Sequence, residues 1–156
     1  MRRQSGFIKA LAAAFVVFFV AGCSADQAMK DVEVARVTSP NAAIDAVLTE
    51  ANPGATASFV YRIRLIARGA DWKNDAAVVQ LYGATRNASA FGVDLKWQDT
   101  QTLVAEYLQA RSVSPTEPAA VDVSGHTARV VLRDGVENPA APPGGMAAAV
   151  APDSMR

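Results

Sequence analysis

The chain contains one cysteine and one histidine in 156 residues. A disulfide, a Cys/His zinc site and a Cys-His nucleophile pair each need more than that, so all three are excluded within the chain. It also has no apolar run of the ~20 residues that a helix needs to cross a bilayer core. Gly-rich phosphate loops and the spaced ligands of metal sites are missing. No serine (Ser58, Ser89, Ser112, Ser114 or Ser124 among them) stands in a G-x-S-x-G context. No acidic residue occurs before Asp26. The length suits a single domain.

The amino terminus is informative. Arg2, Arg3 and Lys9 precede an apolar run from Ala10 to Val20, the n-region and h-region order of a secretory signal, expected as a short signal helix. Val20-Ala21-Gly22-Cys23 then resembles the lipobox of bacterial lipoproteins, an aliphatic residue, two small residues and a cysteine. The resemblance implies that Cys23 carries a diacylglycerol thioether, that the chain is cut between Gly22 and Cys23, and that the new amino group accepts a further acyl chain. Two or three acyl chains hold a protein on a membrane where one does not, at ~0.8 kcal/mol per buried methylene. Ser24 after the cysteine, in place of Asp, implies sorting to the outer membrane, with the domain facing the periplasm.

Removing residues 1–22 takes three of the 15 basic groups and none of the 15 acidic ones, leaving a net charge of −3. A mildly acidic domain is a poor nucleic-acid binder, and no such partner is expected. The remaining aromatics, Phe59, Tyr61, Trp72, Tyr82, Phe91, Trp97 and Tyr107, concentrate the expected core between 59 and 107. Residues 23–30 read as a tether and 31–134 as the folded domain. Residues 135–156 hold four of the eight prolines and no aromatic, and read as a disordered tail.

Within the domain the apolar period is two. Phe59, Tyr61, Ile63, Leu65 and Ala67 alternate with Val60, Arg62, Arg64, Ile66 and Arg68, which predicts a strand with an arginine row on its outer face. Three hairpin registers follow. An Asn52–Ala55 loop sets Leu48 opposite Phe59, Ala46 opposite Tyr61 and Asp45 opposite Arg62. A loop at 99–101 sets Trp97 opposite Leu103, Leu95 opposite Ala105 and Asp94 opposite Glu106. A Gly125-His126 turn sets Val123 opposite Ala128 and Asp122 opposite Arg129. Strands near 31–38 and 76–82 bring the count to about eight. The fold class expected is all-β, a small antiparallel meander closed as a sandwich or partial barrel.

Ser39-Pro40-Asn41, Ile44 to Leu48, and Gly54-Ala55-Thr56-Ala57-Ser58-Phe59 with the strand to Gly69 resemble a family of uncharacterised exported bacterial proteins with SPDG and GATT-Phe motifs. The resemblance implies export and a β-fold, and carries no activity, cofactor or catalytic residue.

The function expected is that of a lipid-anchored, non-catalytic binding or structural accessory with no metal or cofactor. Arg62, Arg64, Arg68 and Trp72 are the candidate contacts for an envelope protein or polysaccharide, set against a solvated outer face and an indole lidding the open end of the sandwich. The alternatives are a hydrolase of envelope polymers working through Asp94 and Glu106, with Lys96 beside them, and a subunit that docks a partner through the arginine row or Trp72. His126, expected in an exposed turn, has no visible catalytic partner.

Overall fold

The computed structural model describes residues 30–138 together with Ala140 and Met146. The expected signal segment 1–22, Cys23, the expected tether as far as Met29 and the remainder of residues 135–156 lie outside the described residues.

The described chain is all-β. In order it forms β1 (Asp31–Thr38), β2 (Ile44–Ala51), β3 (Val60–Ala67), β4 (Val79–Tyr82), β5 (Asp94–Trp97), β6 (Thr102–Glu106), β7 (Ser112–Ser114), β8 (Val121–Val123) and β9 (His126–Arg133). Two open sheets result, one ordered β1-β2-β3-β4-β7 and the other β5-β6-β9-β8. They enclose one core: Ile44, Leu48, Tyr61, Ile63 and Leu81 from the first sheet meet Val93, Leu95, Leu103, Ala105, Ala128 and Val130 from the second. Tyr61, Ile63, Leu81 and Leu103 are fully buried, as expected where the inward faces of two sheets interdigitate. Trp97 crosses the gap between sheets, its indole N–H donating to the Val37 carbonyl at 3.0 Å.

The architecture is a sandwich, but not the simple antiparallel meander expected. The short β7, which the sequence reading lacks, leaves the second sheet to pair with β4 in the first. The chain then returns by way of β8, and β9 lies parallel to β6, with Leu103 beside Val130. The connection after β6 is long enough for this parallel crossover.

The hairpin at 99–101 has the expected register, Trp97 with Leu103 and Asp94 with Glu106. Asp99 fixes it by accepting from the backbone N–H groups of Gln101 and Thr102, both at 2.7 Å, an Asx-type turn. The other two registers are corrected. β2 pairs β3 with Leu48 opposite Ile63, Ala46 opposite Leu65 and Asp45 opposite Ile66, four residues from the expected pairing. Asn52 turns the chain by accepting from Gly54 N–H at 3.0 Å, and Phe59 then leaves β2, its carbonyl accepting from Gly83 N–H at 2.8 Å. The last hairpin turns at Ser124-Gly125, where both residues have positive φ (53° and 83°), so Val121 faces Ala128 and Val123 faces His126. That is the backbone of a type I′ turn, which matches strand twist. Both errors are even in residue number, so every side chain keeps its face.

The described residues continue past Asp134. The N–H groups of Gly135, Val136 and Asn138 donate to the carbonyls of Leu108, Tyr107 and Ser89. Met146 packs half-buried on the core, and its backbone N–H donates to the Glu50 carboxylate at 3.2 Å.

Candidate functional site

The arginine row is where the structure departs most from expectation. Arg64 is only 7% exposed. Its guanidinium donates to Thr49 Oγ1 at 2.8 Å, to Asp31 at 2.9 Å and to the Asp75 carbonyl at 2.9 Å. Arg62 pairs with the other oxygen of Asp31 and donates to Gln80 at 3.0 Å. Asp45, expected beside Arg62, instead accepts from Thr38 at 2.7 Å, Arg36 at 3.0 Å and Gly69 N–H at 2.9 Å. Burial pushes the Asp45 carboxyl up, but these donors outweigh it and hold the group below its ordinary value. Arg36 in turn is bidentate to Glu33, at 2.8 and 2.9 Å, and that pairing depresses the Glu33 carboxyl against a smaller opposing effect of burial.

The outer face of β1–β3 is therefore a closed ion-pair network, with β2 buried along all eight residues. What closes it is the loop after β3. Residues 68–78 fold back over the strands, held by the contacts of Asp45, Arg64 and Arg36 to Gly69, Asp75 and Ala70. Trp72 covers Arg64, its ring centroid 5.0 Å from the guanidinium carbon. The indole is thus a lid on the outer face and does not cap the open end of the sandwich. Of the three arginines, only Arg68 is exposed. Val32 is the one exposed large apolar residue among the described residues, so no contiguous apolar patch surrounds Trp72.

Asp94 and Glu106 lie opposite each other as expected. Lys96 bridges them, 3.1 Å from Asp94 and 2.7 Å from Glu106, and Arg133 reaches Glu106 at 2.9 Å. The Lys96 ammonium and, less strongly, Arg133 hold the Glu106 carboxyl below its ordinary value, against the opposite pull of burial. A general acid needs the reverse shift. The adjoining cavity, of about 80 Å³, is well below the 300–1,000 Å³ typical of ligand pockets. His126 is the exposed first residue of β9.

The larger hollow has no counterpart in the sequence reading. It opens at one end of the first sheet, has a volume of about 540 Å³ and is lined by Ser58, Phe59, Gly83, Arg86, Phe91 and Arg111 with their small neighbours. Arg86 lies over two rings, its guanidinium carbon 3.5 Å from the Phe59 centroid and 5.1 Å from that of Phe91. The stem of Arg111 lies against Gly83, where an added Cβ would sit 2.9 Å from Arg111 Cγ, and Gly83 has a φ of +65°. Glycine is required there on both counts. Arg86 and Arg111 stand 25 positions apart, and they line one hollow because β7 pairs with β4 and Arg111 N–H donates to the Tyr82 carbonyl at 2.9 Å. No periodicity signals that pairing.

Compared with protein-family models, with curated proteins and with solved structures, the chain matches none. Among the described residues no group of three or more His, Cys, Asp or Glu is placed to hold a metal ion. No described helix is long and apolar enough to cross a membrane.

Proposed function

We propose that the protein is a lipid-anchored component of the bacterial envelope, tethered through acyl chains on Cys23 in the outer membrane and facing the periplasm. In this reading it acts there as a non-catalytic binding or structural accessory. The observation that carries the location is the Val20-Ala21-Gly22-Cys23 motif directly after a basic and then apolar leader. The fold is compatible with this: the first strand begins at Asp31, so seven residues separate it from the anchor, a reach of about 25 Å when extended. Asp31 is itself locked by Arg62 and Arg64, which gives the tether a rigid attachment.

Two observations favour binding over hydrolysis at the carboxylate pair. Lys96 and Arg133 neutralise it, and the cavity beside it is too small for a sugar ring with its neighbours. Docking through the arginine row or Trp72 is disfavoured because Arg62, Arg64 and the indole are engaged within the domain.

The anchor is tested by replacing its only thiol. In cells fed radiolabelled palmitate, the wild-type chain is expected to take up label and to fractionate with the outer membrane. Cys23→Ala should lose the label and appear as unprocessed precursor or as released protein. Equal labelling of the two chains would refute the anchor.

A further inference from the structure

We propose that the groove bounded by Phe59, Gly83, Arg86, Phe91 and Arg111 is a binding site for a phosphate-type oxyanion, as found on an anionic lipid headgroup or as free phosphate. Arg36, Arg62, Arg64 and Arg133 each contact a carboxylate within the domain, and of those that form no ion pair among the described residues Arg68 is solvent-exposed and Arg129 shares its hollow with Asp99. Arg86 and Arg111 make no ion pair among the described residues, and the groove lining contains no carboxylate. Two guanidinium groups thus share one open hollow without a countercharge, in a domain whose net charge is negative.

Arg86 has donor capacity to spare. Its Nη1 is buried and makes no hydrogen bond, the one side-chain atom in that condition among the described residues. A buried donor without a partner is rare in folded proteins and points to a missing acceptor. Contact with the Phe59 and Phe91 rings restrains the guanidinium, whose fork can meet phosphate with two parallel N–H donors. Arg111 lines the same groove, its stem seated on Gly83. The hydroxyl of Tyr82, held by Ser58 N–H at 3.2 Å and lowered in pKa first by that bond, lies close enough to Arg111 for the guanidinium to contribute to the lowering. The two phenylalanine rings offer an apolar wall for the carbon skeleton attached to the phosphate.

The position of the groove favours a membrane source. Asp31, Ala51, Val60, Tyr82 and Ser112 form one continuous row across the first sheet. The groove residues Phe59, Gly83 and Arg111 are the next residues out from that row. The tether enters at the same end, so an anchored domain carries the groove on its membrane-proximal side. This step rests on the anchored reading; the oxyanion chemistry does not.

The test is calorimetric titration of the full chain, in non-ionic detergent, with inorganic phosphate and separately with dihexanoyl phosphatidylglycerol, each to about 10 mM, enough to reveal a Kd of ~1 mM. The wild-type chain is expected to bind at least one of the two. Arg111→Ala, which alters an exposed side chain, should weaken binding about tenfold with the melting temperature preserved. Arg86→Lys keeps the charge but loses the planar fork, and should weaken it comparably. Binding of both probes identifies the oxyanion alone as the recognised group. Binding of the lipid alone identifies a headgroup in its lipid context, and binding of phosphate alone identifies a soluble source. No binding of either probe, or binding unchanged in both variants, would overturn the proposal. Cys23→Ala should bind like the wild type, so failure of the anchor and failure of the groove give different results.

Discussion

Single carboxylates decide how this domain responds to acid. Glu33, Asp45 and Glu106 all titrate below their ordinary values, Glu33 and Glu106 chiefly through Arg36 and Lys96. Asp45 does so because three donors together outweigh its burial. A carboxyl depressed by folding binds fewer protons in the native state than in the unfolded one, so its stabilisation is present above the unfolded value and is lost as the pH falls through the folded one. The ordinary values are 3.8 for Asp and 4.5 for Glu. Stability should therefore be level from neutrality to about pH 5 and fall below about pH 4. Asp45→Asn should cost about 2–3 kcal/mol at pH 7, since it weakens three hydrogen bonds at a residue only 2% exposed, and should flatten the acid limb. Chemical denaturation as a function of pH checks both. A steep loss between pH 7 and 5, or an unaffected Asp45→Asn chain, would contradict the assignment. The residue scale is also where sequence was least informative. Alternation places Arg62 and Arg64 on the outer face correctly. Their burial depends on Asp31 from another strand and on a loop folding back, neither of which a period of two can show.

At the level of elements, pairing parity was legible and pairing distance was not. The alternation of Ile44, Ala46 and Leu48 against Ile63 and Leu65 dictates which faces meet, because a one-residue slip would bury Arg62 and Arg64 in the core. It leaves slips of two and four nearly degenerate. Turn chemistry resolves them: Ser124-Gly125 takes up the positive φ values that a Gly125-His126 turn would have placed one residue later. The short loop at Asp99 leaves little slack, and there the register was legible in full. The end of the domain illustrates the limit of composition. Residues 135–156 look unable to form a core, yet Met146 sits against Gly92, its sulfur 3.0 Å from where a Cβ would stand, and its N–H meets Glu50. Glu50 also accepts from the buried Tyr61 hydroxyl at 2.8 Å. Burial, with the adjacent Glu50 charge, pushes the Tyr61 phenol upward, so this cluster favours the neutral phenol. Ending the chain at Asp134 removes the Met146 side chain, its hydrogen bond to Glu50 and the backbone hydrogen bonds of Gly135, Val136 and Asn138, which should cost at least about 2 kcal/mol, or roughly 8–12 °C in melting temperature. A chain ending at Asp134 that melts with the full-length protein would show that neither Met146 nor the 135–138 hydrogen bonds contribute to stability.

For the whole molecule, the two sheets separate structure from candidate function. The outer face of the first sheet is consumed by its own ion pairs and by Trp72, and the carboxylate pair of the second is neutralised by Lys96 and Arg133. The end of the first sheet where β1 begins stays open, and the hollow there is lined by two arginines that lack a carboxylate partner among the described residues. That end became visible only through the β4–β7 pairing, whereas the anchor motif is a contiguous string that needs no fold to be read. The all-β architecture was thus accessible from sequence, and the groove was not. The account as a whole depends on the sulfur of Cys23, and the most direct measurement is the mass of the native chain extracted from bacterial membranes. The expected result is an amino-terminal peptide beginning at Cys23 with diacylglycerol and fatty-acyl mass added. A chain that retains residues 1–22 with an unmodified thiol would contradict it.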